Sequence, residues 1–399
     1  MRIAFFTTDF PYLPPFENQD LKMNSDLWGG VAIVTYNLCL ELQNLGHEVI
    51  VFTTSFIGKN EIQKSGRITV FRYRPSVKIE STPISAGLIL RPLIDGTDID
   101  IVHIQQGSPP GALSGYLFAK MKNIPFVVTF HGEPEIGYGG SLKRMLMTIF
   151  NGLMGRRIFS GASVINTLSK ESFNQSDFLR GHDSKNRIIP NGVRISDFEI
   201  AQSKAECRAR MGLQKDSKIV LFVGSLTRRK GPHILLQSMK KVLEEIPDSQ
   251  LIIIGDGILR QQLEKDAVDL GIAERVRITG FIPESEKVCY YHAADLFTLP
   301  SFSEAFPIAV LEASASGLPL VVSDLPCFRA IINDGSNGLF SKVGDPIDLS
   351  ERIIHLLCNE TLRGEMAINA KSRMADFSWS SIGKETETIY GKIIAGQIR

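Results

Sequence analysis

Two glutamates, Glu304 and Glu312, stand eight positions apart in the stretch SEAFPIAVLEASASGLPLVVSD from Ser303 to Asp324. The pattern predicts a helix with Pro307 at its first helical position, where a missing N–H costs nothing. Glu304 would lie in the loop before that helix and Glu312 one to two turns inside it. The free N–H groups at the helix start, around Ile308 and Ala309, make a positive pocket suited to an anion such as phosphate. Two carboxylates beside the pocket would repel a bare phosphate. They suit a ligand carrying hydroxyls on both sides of its phosphates, and a nucleotide sugar is such a ligand.

A second group of residues could act on the same kind of ligand. Gly224-Ser225-Leu226-Thr227-Arg228-Arg229-Lys230-Gly231 follows a strand pattern and precedes a helical one. Cations clustered there can neutralise a diphosphate as the bond to it breaks, which is electrostatic transition-state stabilisation. A solvated basic turn would share this composition; the position at the carboxyl end of a strand favours the chemical role. His131 ends the run Val127-Val128-Thr129-Phe130-His131-Gly132 and would project from the end of a central strand. A lone histidine is as readily a structural residue. Gly29-Gly30 opens a helix after the first strand, where glycine lets a backbone come close to a phosphate; a mobile loop would look the same. Gly255-Asp256-Gly257 reads only as a strand-end turn. Asp98-Ile99-Asp100 has the D-x-D pattern of many metal-dependent transferases, but it precedes its strand, away from the ligand edge, and is read as a loop with no metal assigned. There is no H-E-x-x-H, G-x-S-x-G or Walker A loop.

The elements that must position these residues alternate short β-branched runs with helical patterns in both halves of the chain, which predicts parallel sheets covered by helices. A length of 399 residues suits two domains. Expected strands are 3–8, 48–54, 68–73, 101–105, 126–130, 163–167 and 187–189 in the first half. In the second they are 218–224, 250–255, 276–280, 296–300 and 320–323. Between the first two strands, Val31, Val34, Leu38, Leu42 and Leu45 recur at helical spacing, with a stop at Gly46. The linker is placed at Asn191–Ala201. The expected architecture is α/β, with two doubly wound domains facing each other across a deep cleft and ligands held outside the carboxyl ends of the strands.

Composition excludes several classes. A net charge of +1 argues against bulk electrostatic binding of nucleic acid. Five scattered cysteines without a C-x-x-C pair fit neither a disulfide framework nor a zinc site, and point to a reducing cytoplasm. No apolar run is long enough for a membrane span, and no secretion signal is visible. One stretch departs from neutrality. From Ile136 to Lys170 there is no Asp or Glu, whereas Lys143, Arg144, Arg156, Arg157 and Lys170 are basic. Leu142, Met145, Leu146, Ile149, Phe150, Leu153 and Met154 form a helical stripe within it. The segment 141–158 is either a core-facing helix with a solvated basic back or a helix docking peripherally on the anionic inner face of a membrane.

Taken in order, these stretches resemble the retaining glycosyltransferases of family 4, which have the GT-B fold of two Rossmann-like domains. The resemblance spans nearly the whole chain, from Gly29-Gly30 through Gly46-His47-Glu48-Val49, Asp100–His103 and Val128–Gly132. It continues with Pro190–Val193, Gly224–Gly231, Gly255–Gly257, the Glu304–Glu312 pair and Trp379. It implies an N-terminal acceptor-side domain over 1–194, a donor-binding domain over 195–379 and a last helix, 380–399, crossing back onto the first. It further implies that Glu312 bonds the ribose hydroxyls, that Glu304 holds the transferred sugar with the backbone of Ala305, Phe306, Pro307 and Ile308, where Pro307 removes one N–H donor, and that Lys230 with Arg228 or Arg229 clamps the diphosphate. Gly29 and Gly30 would let the first domain close on it, His131 would contact the sugar near the reacting centre, and the base would lie around Gly280-Phe281-Ile282. Departures from the family's pattern are Ser225 where an arginine is common, Pro307 where glycine is common, Pro326-Cys327 and Arg329 for a Gly-Gly and a glutamate, and Gln105 for the second histidine of H-x-H.

The expectation is therefore a metal-independent, retaining hexosyltransferase without a cofactor, taking a UDP-, GDP- or ADP-sugar as donor and a lipid-linked or saccharide acceptor for a surface glycan. Catalytic roles fall to His131, Glu304 and Lys230. Donor contacts fall to Gly29, Gly30, Ser225, Arg228, Arg229, Lys230, Gly255, Phe281, Ile282, Glu304 to Ile308 and Glu312. A nucleotide-sugar epimerase on the same fold and a two-lobed sugar-binding protein are the rival readings.

Overall fold

The computed structural model describes residues 1–17, 29–79, 82–95, 98–132, 145, 148 and 150–398. The chain divides into two compact units, Met1–Asn191 with Trp379–Arg399, and Gly192–Ser378. The boundary thus falls three residues earlier than the 194/195 junction expected from the sequence.

The strands of the first unit are β1 (Arg2–Phe6), β2 (Glu48–Thr54), β3 (Glu61–Ser65), β4 (Ile68–Tyr73), β5 (Val77–Ile79), β6 (Thr82–Ile84), β7 (Ile101–Gln106), β8 (Phe126–Phe130), β9 (Val164–Thr167) and β10 (Asn186–Ile188). Eight of them form one sheet in the order β10-β9-β8-β7-β1-β2-β4-β3, and β5 pairs with β6 apart from it. The sheet is parallel except for β3, which runs antiparallel to β4. β3 (EIQKS) was not expected, because its residues are nowhere fully buried and carry no apolar run. β1, β2, β7 and β8 are buried almost throughout, as strands covered on both faces must be. Phe6 lies 4.9 Å from Phe52 and 5.2 Å from Phe118, ring centre to ring centre, so the helix Pro109–Lys122 is fixed against the sheet by aromatic packing.

The final helix, Trp379–Ile394, packs in this unit against the helix Gly30–Asn44. Gly383 permits that approach, since a Cβ there would stand 2.5 Å from Glu41 Cγ. Glu387 meets His47 Nε2 at 2.8 Å, and Tyr390 reaches His103 on β7.

The second unit holds β11 (Lys218–Val223), β12 (Ser249–Ile254), β13 (Val276–Gly280), β14 (Leu296–Leu299), β15 (Leu320–Ser323) and β16 (Gly338–Ser341). Their order is β13-β12-β11-β14-β15-β16, with every pair parallel. Counted within the unit this is 3-2-1-4-5-6, the doubly wound order in which the winding direction reverses between the first and fourth strands. β16 (GLFS) was not expected; four residues led by glycine give little periodic signal.

Candidate active site

The reversal between β11 and β14 sends the loops after these strands to opposite sides and opens a crevice at their carboxyl ends. Both loops carry the residues singled out above. After β11, Arg228–Lys230 forms one turn of 3-10 helix, followed by Gly231 and the helix Pro232–Glu245. After β14, the chain runs through Ser301–Phe306 into the helix Ile308–Ala315. The two loops are stitched backbone to backbone, Phe302 N donating to Arg229 O at 2.7 Å. Gly231 makes this possible. Its φ of +70° is left-handed, and a Cβ would lie 2.0 Å from Pro300 O.

This junction brings Glu304 onto the cations. Lys230 Nζ is 2.5 Å from Glu304 Oε1, and Arg229 Nη1 is 3.3 Å from Oε2 while also donating to Ser303 O at 2.9 Å. Ser301 Oγ donates to Oε1 at 2.9 Å. The Glu304 side chain is only 5% exposed. A carboxylate so buried must be paired, and here it has three donors. Arg228 and Ser225 are exposed, so of the two arginines left open by the sequence, Arg229 is the one gathered with Lys230. Cys327 lies near Glu304; burial, and then the glutamate's charge, push its thiol up to about 12, which keeps it protonated. Arg329, where the resemblance expects a glutamate, pairs with Asp324 at 2.7 Å.

Pro307 corrects one expectation. It is the N-cap of the helix, with extended backbone (ψ 105°), and the first helical residue is Ile308. A proline that ends a tight loop contributes no N–H and does not begin the helix. The N–H groups of Ile308 and Ala309 still point out of the first turn, without acceptors inside the helix.

Glu312 lies one turn further in, among partners that the sequence did not suggest. Lys287 Nζ donates to its Oε1 at 3.0 Å and Tyr291 OH to its Oε2 at 2.8 Å. Both come from the helix Glu284–Ala293 after β13. Burial pulls the Lys287 ammonium down, but Glu312 and Glu284 outweigh it and push it up to about 12. Tyr291, fully buried and beside the same carboxylate, is held well above its ordinary value. Both are therefore donors at neutral pH. The spacing of four was the available signal, but no acidic partner adjoins the pair in sequence apart from Glu284 and Glu286.

Glycine carries the rest of this edge. Gly255, after β12, has φ +145°, and a Cβ there would be 1.9 Å from Gly224 O, so the two strand ends meet as bare backbone. Gly255-Asp256-Gly257 is thus more than a turn. Phe281, just past β13, is 45% exposed, with Ile282 half-buried beside it.

In the first unit, His131 follows β8 and its Nε2 meets Gln105 Oε1, on β7, at 2.6 Å. An amide oxygen only accepts, so Nε2 carries the proton and Nδ1 is left as an acceptor. Gln105 Nε2 faces His103 Nε2 at 3.5 Å, and His103 Nε2 also meets Thr129 Oγ1 at 2.6 Å. Burial lowers His131 to about 4 and His103 to about 3, the latter helped by the charge His131 would carry. His131 is therefore a neutral hydrogen-bonding group near pH 7.

Gly29 caps the helix Gly30–Asn44 with extended backbone (ψ 159°), and a Cβ there would meet nothing within 4 Å. Neither backbone strain nor packing against described residues demands a glycine at 29. Asp100 Oδ2 accepts the Arg2 N–H at 2.7 Å, which places the D-x-D residues at the amino end of the first sheet. Three of the seven stripe residues in 141–158, Leu142, Leu146 and Ile149, lie outside the described residues. Within that segment, Asn151–Gly155 is a π-helical turn, and Met145 and Leu153 are exposed. No helix among the described residues is long and apolar enough to cross a membrane.

Known proteins resemble both halves of the chain. The family model for glycosyltransferase family 4 matches residues 28–197, and that for glycosyl transferases group 1 matches 203–373. An uncharacterised glycosyltransferase of Methanocaldococcus jannaschii is 28% identical over 98% of both chains. The phosphatidyl-myo-inositol mannosyltransferase of Mycobacterium leprae is 28% identical over 92% of this chain and 93% of its own. Among solved structures, Anabaena HepE, crystallised with UDP and glucose, superposes with a TM-score of 0.74 at 18% identity, covering 98% of this chain and all of its own. With one model matched in each unit and the doubly wound sheet in both, the chain belongs to the family 4 glycosyltransferases of the GT-B fold.

Proposed function

We propose that the protein transfers a hexose from a nucleoside-diphosphate sugar to a lipid-linked or saccharide acceptor, with retention at the anomeric carbon and without a metal ion. The observation that carries this reading is the meeting of Lys230 and Arg229 with Glu304 at the reversal point of the second sheet. Two cations and a buried carboxylate are there within one contact of each other, beside a helix N-terminus. HepE, crystallised with UDP and glucose, and the mannosyltransferase acting on phosphatidyl-myo-inositol support a nucleotide donor and a lipid acceptor. The relatives lend no support to an epimerase.

In this reading the bond from the anomeric carbon to the phosphate oxygen breaks while the acceptor oxygen bonds to that carbon on the same face. The acceptor's proton passes to the departing phosphate. Lys230 and Arg229 stabilise the charge that gathers on the diphosphate, and the N–H groups of Ile308 and Ala309 add the field of the helix end. Glu304, with two donors on Oε1 and one on Oε2, keeps one acceptor position for a sugar hydroxyl and is not free to act as a nucleophile. His131, in the first unit, offers its Nδ1 to a substrate hydroxyl. In the second unit Gly255 lets the nucleotide lie close, and Phe281 stacks on the base.

The test is a transfer assay with UDP-, GDP- and ADP-hexoses, a phosphoinositide and a saccharide acceptor, with the product anomer read by NMR. Retention, and full activity in excess chelator, are expected. An inverted product, or a strict need for added Mg²⁺ or Mn²⁺, would overturn those parts of the reading.

A further inference from the structure

Glu312 is held in a way that a generic acidic contact does not need. Lys287 and Tyr291 stand four residues apart on one helix, so successive turns present them side by side. One donates to each carboxylate oxygen, at 3.0 and 2.8 Å. The side chains of Glu312 and Lys287 are 14% and 12% exposed, and Tyr291 is fully buried against Phe198 and Phe297. Lys287 is anchored a second time, to Glu284 at 2.7 Å. The carboxylate therefore cannot rotate without breaking a contact on each side.

Each carboxylate oxygen can accept two hydrogen bonds. With one position on each oxygen filled from behind, one remains on each in front. Two parallel acceptors in a fixed plane match two adjacent hydroxyls on a five-membered ring, and a ligand with one hydroxyl can use only half of the arrangement. Resting on the donor-site reading above, we propose that Lys287 and Tyr291 are positioning residues that lock Glu312 as a two-point acceptor for vicinal ribose hydroxyls. In doing so they set a preference for ribonucleotide over deoxyribonucleotide donors.

The experiment compares dissociation constants for the nucleoside diphosphate that binds the full-length protein (UDP, GDP or ADP) and its 2′-deoxy counterpart, by calorimetry. The wild type should favour the ribonucleotide by about tenfold or more, the scale of one hydrogen bond to a charged group. Glu312→Ala should bind both alike. Tyr291→Phe removes one hydroxyl and leaves the ring packing intact, so it should fold and lose most of the preference. Lys287→Met should do the same, chiefly by weakening the ribonucleotide. If Tyr291→Phe and Lys287→Met keep the wild-type ratio while Glu312→Ala loses it, the two residues only stabilise the fold and the proposal fails. If Glu312→Ala keeps the ratio, the carboxylate does not face the ribose, and that part of the donor-site reading falls with the proposal.

Discussion

At Glu304 the same cations that would receive a diphosphate are already occupied by a carboxylate. On the proposed function, a donor would share Lys230 and Arg229 with Glu304. Glu304→Gln removes that competition, so the variant should bind the sugar-free nucleoside diphosphate several-fold tighter while transfer falls by about 100-fold, the scale of one lost transition-state contact. Calorimetry and a turnover assay separate the two; weaker nucleotide binding would mean that the glutamate organises the cations instead of competing for them. His131 allows a pH test. In the unfolded chain it titrates near 6.5, whereas in the fold burial lowers it to about 4. Between those values the unfolded state binds more protons, so stability falls as pH falls through the window and is insensitive to this group above it. From pH 7 to pH 5 its share is ~2 kcal/mol, and His131→Gln should lose correspondingly less stability over that interval in denaturant unfolding. An unchanged slope would show that the ring titrates in the fold as it does in the unfolded chain. None of these partnerships could be read from neighbours in sequence: Arg229 and Glu304 are 75 positions apart, and Lys287 and Glu312 are 25.

At the scale of elements, the apolar runs and helix stops located the buried strands to within a residue or two, because burial on both faces forces a continuous apolar signal. β3 and β16 escaped because one is a polar edge strand and the other is four residues beginning with glycine. Pro307 stands one position before the first helical residue, a distinction that sequence does not carry, since proline suits both the cap and the first turn and only the backbone angles separate them. The junction of the loops after β11 and β14 depends on Gly231. Gly231→Ala must move either Pro300 or the cationic turn, so it should cost more than the ~1–2 kcal/mol of the left-handed backbone alone, and transfer should fall with it. Gly212→Ala is the matched control, with φ +61° and nothing within 4 Å of the added Cβ. It should cost only the backbone strain and leave transfer intact. Equal stability losses in the two variants by urea unfolding would show that the loop junction yields freely.

For the whole molecule, the alternation of strand and helix announced two doubly wound units, and the match of one family model in each agrees with it. What the sequence could not supply is the strand order, which places the reversal between β11 and β14 and so turns a basic loop and an acidic loop into one site. On the proposed function, this site in the second unit binds a nucleoside diphosphate through Lys230. The most direct measurement is thermal unfolding of the wild type and of Lys230→Ala with UDP, GDP or ADP at about 100 times the wild-type dissociation constant, where a ligand specific to the folded state adds ~2.7 kcal/mol of stability. At least one of the three should raise the wild-type melting temperature, and most of that rise should vanish in Lys230→Ala. No rise with any of them, or an equal rise in both proteins, would mean that Lys230 does not hold a nucleoside diphosphate.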